Sequence, residues 1–376
     1  MMAQKVELKG LLSSWAALSA EGAVPSLLGF RWVPGVIVNE PLSPARFIEV
    51  EVALNGYGTA EFKKLGNIVS GARLKLYRGQ ARYSASRIEV RVGLQKLSFG
   101  SAAFLRPLMW FDRLDPRDPL QLTEGVYGLL LRYYFLSNAN IWFWGLYGNE
   151  KPKGWELLPT ARKRPEWGGR LQVPLSAGEL GFTFHHRRVS LGSPPEVLDY
   201  LTGLKEKDSG SNSAEHPIPE YRWGLDGKWD LGVGLWFEAV LGHQETRFLA
   251  AKRQTAFTFG LDYTLPLGQG LHVLTEYYES RLSGDTSSRG NRSQFAVFSL
   301  SYPLGLFDSL NGVVFYDRKN GDTYLFFRWQ RTYDRWNFHL MAFWNPERLA
   351  IYNLQDSSAS NLFAGKGLQL MVVFHY

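Results

Sequence analysis

Alternation of apolar and polar residues is the feature that most limits how this chain folds. Residues 255–265 (TAFTFGLDYTL) place bulky apolar side chains at every second position and small or polar ones between them. Residues 232–242 and 366–376 repeat the pattern. Because successive side chains of a strand point to opposite faces, each segment predicts a strand with one apolar and one polar face. About ten residues is the length that a tilted strand needs to cross a bilayer.

The sequence contains no apolar run of about 18 residues, so it predicts no transmembrane helix. Backbone groups in lipid must bond to one another, which leaves a closed β-barrel as the way across. Aromatic residues make up 15% of the chain, and they recur near predicted strand ends, as with Trp142, Trp144, Trp336 and Trp344. Such aromatic belts are typical of membrane interfaces. We therefore predict an all-β fold, an antiparallel up-and-down transmembrane barrel.

The predicted connections alternate in length. Short turns alternate with long polar loops along the chain. The short turns include 136–140, 176–179, 266–270 and 333–335, and the long loops are 100–121, 149–167, 191–218, 282–292 and 346–364. Short turns at one rim and long loops at the other are typical of outer-membrane barrels. The count is about 18 strands, with 16 as the main alternative, in one domain spanning 1–376. Pro34 is expected to interrupt the second strand, 27–39.

Composition excludes several other classes. There is no cysteine, which removes disulfides and thiolate chemistry. The net charge is +7, but the basic residues form no block, so no nucleic-acid partner is expected. The start, MMAQKVELKG, lacks a signal-peptide pattern, and we expect the sequence to be the mature part of a secreted chain with an added methionine. We predict no cofactor, metal site or catalytic residues.

Two stretches resemble known outer-membrane proteins. Gly367 to Tyr376 resembles the C-terminal signal read by the bacterial outer-membrane assembly machinery, which it implies as a partner. The run ARLKLYRGQARYSASRIEVRVGLQKLSFG, then LDPRDPLQLTEG and VYGLLLRYYF, resembles large channels of the porin and alginate-export type. The resemblance implies a Gram-negative outer-membrane location among lipid and lipopolysaccharide. It also implies a monomeric or homo-oligomeric channel, a porin or an exporter.

Parity along the predicted strands assigns charged residues to the lumen, where water can solvate them. Four arginines would favour anions, and five acidic residues would oppose that preference: Glu49, Glu51, Glu238, Asp262 and Glu276. Inward aromatic residues (Tyr77, Trp236, Tyr278 and Tyr324) could instead form a stacking track for saccharides. The predicted lumen set is Arg91, Arg132, Arg187, Arg328, Glu238, Asp262 and Glu276.

Loop 100–121 is unusually apolar between Phe104 and Phe111 and then alternates in charge. We hypothesise that it folds into the lumen, buries its apolar part on the wall and presents charges at a constriction. The alternative is a loop packed on the outer rim or at an oligomer contact. The constriction residues would be Arg106, Asp112, Arg113, Asp115 and Arg117.

The predicted function is therefore passive passage of polar solutes, either anions or saccharides. One alternative is a barrel subunit of a surface-assembly or secretion complex. Another is an outer-membrane hydrolase, for which His185, His186 and His243 are the candidate bases, although adjacent strand residues such as His185 and His186 point to opposite faces.

Overall fold

The computed structural model describes residues 4–20, 26–63, 67–112, 118–156, 158–190, 217–245, 252–283, 291–346 and 365–376. Within them the chain forms eighteen antiparallel strands. The strands are β1 (Lys5–Ser19), β2 (Ser26–Ser43), β3 (Arg46–Phe62), β4 (Ile68–Ser84), β5 (Ile88–Gln95), β6 (Val126–Tyr134), β7 (Asn140–Leu146), β8 (Glu166–Leu175), β9 (Gly178–Val189), β10 (Ile218–Asp230), β11 (Gly234–Gln244), β12 (Arg253–Leu265), β13 (Leu271–Ser283), β14 (Asn291–Leu304), β15 (Asp308–Asp317), β16 (Asp322–Tyr333), β17 (Trp336–Trp344) and β18 (Lys366–His375).

Each strand pairs with the next, and β1 pairs with β18 to close the ring. The closing register runs from Leu11 opposite His375 to Ser19 opposite Gly367. The backbone groups of Gly10 and Tyr376 exchange two further hydrogen bonds, at 3.0 and 3.1 Å. Closure leaves no unpaired sheet edge. The predicted all-β, antiparallel barrel is confirmed, with 18 strands rather than 16.

The prediction for Pro34 was wrong, because β2 continues through it from Ser26 to Ser43. Pro34 lies opposite Gly10 of β1, and near Pro34 the pairing with β3 lapses between Trp32 and Gly35. The register is the same on both sides of this gap. A proline removes one ladder hydrogen bond, and long neighbours on both sides keep the strand in place.

Outward and inward side chains differ sharply in accessibility. In β12, Phe257 and Phe259 are exposed on the outer surface, whereas Thr258 between them is fully buried inside the barrel. Exposed aliphatic and aromatic side chains recur in the same way on every strand except β13, and Trp336 and Trp344 are exposed at the two ends of β17. An apolar surface of this extent fits a hydrocarbon environment. Among the described residues, no helix is long and apolar enough to cross a membrane.

The connections form two different rims. Residues 44–45, 85–87, 176–177 and 334–335 are tight turns at one end, here called the short-turn rim, where both chain termini also lie. Most long connections meet at the other end, the long-loop rim. The described residues of two long connections turn into the barrel: 96–112 and 118–125 of the first lumen loop, and 147–156 and 158–165 of the second lumen loop. They position the candidate site.

Candidate functional site

The first lumen loop packs its apolar residues on the inner wall. Leu105, Leu108 and Trp110 are almost completely buried. Leu105 packs in a cluster with inward residues of β12 to β16, and Phe104 meets Phe315 of β15 edge to face, with ring centroids 5.8 Å apart. Burial of apolar surface therefore stabilises the loop inside the barrel.

Two inward glutamates bind the backbone of this loop. Glu276 of β13 accepts hydrogen bonds from the backbone N–H groups of Ala103, Phe104 and Leu105, at 2.6, 3.0 and 2.8 Å. Its Oε1 also accepts from Trp236 Nε1 at 3.0 Å. Hydrogen bonds to a carboxylate are roughly twice as strong as neutral ones, so Glu276 fixes the loop to the wall.

Glu238 of β11 binds the same loop at two other places. Its Oε1 accepts from Ala102 N at 2.8 Å, and its Oε2 accepts from Leu108 N at 2.9 Å. Glu238 is 0% exposed and Glu276 is 1% exposed. Both were predicted as charges that face the pore; they do point into the barrel, but the first lumen loop covers them.

Glycines stand where the first lumen loop leaves and rejoins the wall. Gly100 and Gly125 adopt φ values of 97° and 77°, a region that other residues rarely adopt. A Cβ on Gly100 would collide with the Glu238 carboxylate, and one on Gly125 would press on the carbonyl oxygen of Gln95. Gly100 thus permits the close approach that lets Glu238 reach Ala102.

The returning part of the loop contacts a different part of the wall. Asp118 Oδ2 lies 3.6 Å from Arg31 Nη1 of β2, and Arg78 Nη2 of β4 donates to Thr123 Oγ1 at 2.8 Å. The loop therefore contacts both the β11–β13 wall and the β2–β4 wall. This crossing supports the constriction hypothesis, which stays a proposal.

The predicted constriction residues fall into two groups. Arg113, Asp115 and Arg117 lie outside the described residues. Arg106 is partly buried and donates from Nη2 to the carbonyl oxygen of Phe99 at 3.1 Å. Asp112 is 3% exposed, so this residue of the first lumen loop is buried rather than presented to the pore.

Burial also changes the acidity of Asp112. Neither carboxylate oxygen has a hydrogen-bond partner within the described residues. Desolvation raises the pKa of Asp112 to about 6, against the smaller opposing effects of Lys96, Arg78 and Arg106. Because the folded pKa lies above the ordinary value of 3.8, this group favours folding at low pH, and that contribution is lost as pH rises through about 6.

The substitution Asp112→Asn should therefore increase stability at pH 8 but not at pH 3.5. The difference at pH 8 is expected to reach about 3 kcal/mol, from 1.36 kcal/mol for each unit of pKa shift. Denaturant unfolding in lipid vesicles at the two pH values measures it. Asp334→Asn, in an exposed turn, is the control. Equal pH dependence in Asp112→Asn and the parent chain would contradict this assignment.

A buried polar network holds the second lumen loop. Lys153 Nζ donates to Glu166 Oε1 at 2.8 Å, and Glu166 Oε2 lies 3.1 Å from His185 Nε2. Trp144 Nε1 donates to His185 Nδ1 at 3.2 Å. An indole nitrogen only donates, so Nδ1 accepts and His185 is the neutral tautomer protonated on Nε2.

A second part of the network contains Arg187. Its Nη1 lies 2.9 Å from Glu156 Oε2 and its Nε donates to Glu220 Oε1 at 2.6 Å. Arg222 Nη1 pairs with Glu156 Oε1 at 3.1 Å. The expectation that Arg187 adds positive charge to the pore is therefore corrected, since it is buried and neutralised by two carboxylates.

The inward course of the second lumen loop was not predicted from the sequence. Three bulky apolar residues inside a polar loop, Trp155, Leu157 and Leu158, were the available signal, similar to that in the first lumen loop. Trp155 now stacks on Tyr278 at 5.8 Å and donates from Nε1 to the carbonyl oxygen of Arg106 at 2.7 Å. The second lumen loop thereby contacts the first lumen loop and helps to hold it in place.

Three inward arginines remain accessible on the β4–β6 wall, and we call Arg82, Arg91 and Arg132 the arginine wall. Their side chains are 26%, 19% and 15% exposed. Arg82 Nη2 pairs with Glu49 Oε2 at 2.9 Å, while Arg91 Nε and Arg132 Nη1 lie 3.0 and 3.4 Å from the same Glu89 oxygen. Glu89 is therefore shared between cations.

Two further predicted residues lie elsewhere. Arg328 of β16 is partly buried, and no carboxylate of the described residues lies within 4.0 Å of it. Asp262 of β12 pairs with His272 Nε2 at 3.3 Å near the short-turn rim. Within the described ranges, no group of three His, Asp or Glu side chains is suited to hold a metal ion.

The fold resembles those of solved outer-membrane proteins. An anion-selective porin from Comamonas acidovorans has a TM-score of 0.52 and 12% identity, with 100% of each chain covered. OccD3 of Pseudomonas aeruginosa has a TM-score of 0.56 and 10% identity, covering 99% of this chain and 91% of its own. The trimer form of OmpT, an outer membrane protein of Vibrio cholerae, has a TM-score of 0.50 and 10% identity, covering 100% and 99%.

No protein-family model matches the chain, and no curated protein matches it in sequence. At these low identities the structural similarity shows a shared fold. The fold is that of bacterial outer-membrane porins, so the predicted resemblance to such channels is confirmed at the level of the barrel.

Proposed function

We propose that this chain is a diffusion channel of the bacterial outer membrane that passes small polar solutes and favours anions. An eighteen-stranded barrel is wide enough to enclose water beside its inserted loops. The observation that carries the proposal is the unequal exposure of the inward-pointing charged side chains to the lumen. Glu238 and Glu276 are covered by the first lumen loop, whereas the arginine wall stays accessible.

This difference in exposure favours the passage of anions on electrostatic grounds. Cations that line a low-dielectric passage raise the local concentration of anions and their rate of entry. Arg328 adds a positive charge on a separate part of the wall. The Comamonas acidovorans porin of the same fold is described as anion-selective, which is consistent with this proposal.

Saccharides are a weaker proposal for the solute. Trp236, Tyr278 and Tyr324 of the expected stacking track are almost completely buried. Trp155 of the second lumen loop already stacks on Tyr278. These rings therefore present little face to a passing sugar.

A hydrolase is not favoured by the histidines. His185 is buried and contacts Glu166 and Trp144, and His186 faces outward against Tyr221, with ring centroids 4.7 Å apart. Neither has a serine hydroxyl among its hydrogen-bond partners in the described part of the chain.

Liposome swelling tests the proposal. Vesicles that contain the refolded protein should swell faster in gluconate than in glucose, and faster in glucose than in glucosamine, three solutes of similar size. Protein-free vesicles are the control. Absence of swelling in all three would contradict an open channel and favour a subunit of an assembly complex.

A further inference from the structure

The outer surface carries an apolar groove across β10, β11 and β12. Register places Leu225, Ala239 and Phe257 side by side on the outward face, with Leu241 and Thr255 in the next row toward the long-loop rim. The small side chains of Ala239 and Thr255 form the floor between bulkier neighbours. The groove has a volume of about 620 Å³ and a mainly apolar lining.

A charged cluster borders this groove on β13 and β14. Glu279 lies opposite Phe257, and Arg281 lies opposite Thr255. Glu279 accepts hydrogen bonds from Arg281 Nε at 2.8 Å and from Arg292 Nη2 at 2.6 Å. The cluster shares its face of the sheet with the apolar rows beside it.

Charged side chains on the lipid-facing surface are energetically unfavourable unless they lie near the membrane interface. An arginine there is strongly destabilising at the bilayer midplane and costs little near the interface. Arg281 and Arg292 lie at the end of their strands next to the long-loop rim. This places both guanidinium groups where lipid headgroups meet the hydrocarbon.

The cluster has spare capacity for an anion. Two arginines share one carboxylate, and the side chains of Arg281 and Arg292 are 57% and 47% exposed, against 19% for Glu279. A guanidinium has five N–H donors, and Glu279 accepts one hydrogen bond from each of these two arginines. Guanidinium pairs match the geometry of phosphate oxygens.

We infer that this groove and cluster bind a phosphorylated, acylated glycolipid of the outer leaflet. One acyl chain lies in the groove over Ala239 and Thr255, and a phosphate contacts Arg281 and Arg292. The hydroxyl of Tyr277 and the amide of Gln294, both hydrogen-bonded to Glu279, offer polar contacts to the sugar. The inference depends on the proposed outer-membrane location but not on the channel's solute.

Native mass spectrometry of the detergent-solubilised barrel tests this site with lipid A bearing two phosphates. The double variant R281Q/R292Q should bind it at least about tenfold more weakly, since each charged hydrogen bond contributes on the order of 1.5–3 kcal/mol and 1.4 kcal/mol corresponds to tenfold. Filling the groove with Ala239→Phe should also weaken binding. Dephosphorylated lipid A should bind the parent chain as weakly as lipid A binds R281Q/R292Q.

The double variant R87Q/R335Q removes two exposed arginines at the short-turn rim and should bind lipid A as the parent chain does. Equal affinity for R281Q/R292Q and the parent would overturn the phosphate site, and equal affinity for Ala239→Phe would overturn the groove. Heat-modifiable electrophoretic mobility shows that each variant is folded. Channel conductance should be unchanged in all of them, so failure here is distinguishable from failure of the proposed function.

Discussion

Replacing Glu276 by alanine should raise the single-channel conductance several-fold and make the current noisy. The change leaves the backbone N–H groups of residues 103–105 without their acceptor inside the barrel. Each orphaned buried donor costs on the order of 1–3 kcal/mol, so the loop loses roughly 3–9 kcal/mol of attachment. A loop that leaves the wall no longer narrows the passage in one fixed way. Recordings in planar bilayers measure the effect.

Glu179→Ala is the matched control, because Glu179 also points inward but bonds to Gln172, at 2.5 Å, instead of to the loop. Its conductance should equal that of the parent chain. Replacing residues 104–118 by a Gly/Ser linker should give the largest and steadiest increase. If both the linker variant and Glu276→Ala kept the parent conductance, the constriction proposal would be wrong.

Replacing the arginine wall by glutamine (R82Q/R91Q/R132Q) should reverse the selectivity from anions to cations. The substitution removes three positive charges and leaves Glu89 of β5 and, on the neighbouring β3, Glu49 and Glu51. The sign of the lumenal potential should follow, and with it the sign of the reversal potential in a KCl gradient. This is the second large effect that the structure predicts.

The triple variant also breaks ion pairs, so a second variant isolates the charge effect. Arg328→Gln removes a cation that has no carboxylate partner among the described residues and should move the reversal potential in the same direction by less. Arg46, at the start of β3, and Arg87 and Arg335, in short turns, supply a matched triple control, R46Q/R87Q/R335Q. A shift in this control as large as that of R82Q/R91Q/R132Q would argue against the arginine wall.

Much of the fold follows from the sequence, because a period of two fixes both the strand and the face of each side chain. Glu238 and Phe257 therefore lie on the faces that parity predicts. Strand ends are harder to predict. Alternation by itself predicts the fourth strand over 72–84, yet β4 begins at Ile68, because pairing with the long β3 extends it beyond its own pattern.

The site was predicted only in outline. Parity gives the side of a residue but not what covers it, so the sequence predicts Arg187, Glu238 and Glu276 as charges facing the pore. Their burial depends on contacts between residues far apart in the chain, such as Leu105 with Glu276. The apolar stretch Phe104 to Phe111 did indicate a loop that needs a wall, yet not which wall.

The reversal potential of the unmodified protein in a planar bilayer with a KCl gradient tests the central proposal most directly. The predicted result is steady conductance steps with a reversal potential shifted from zero toward the chloride equilibrium potential. The reason is that the arginine wall is accessible, whereas the first lumen loop covers Glu238 and Glu276. A silent barrel, or open steps with a reversal potential on the potassium side, would contradict it.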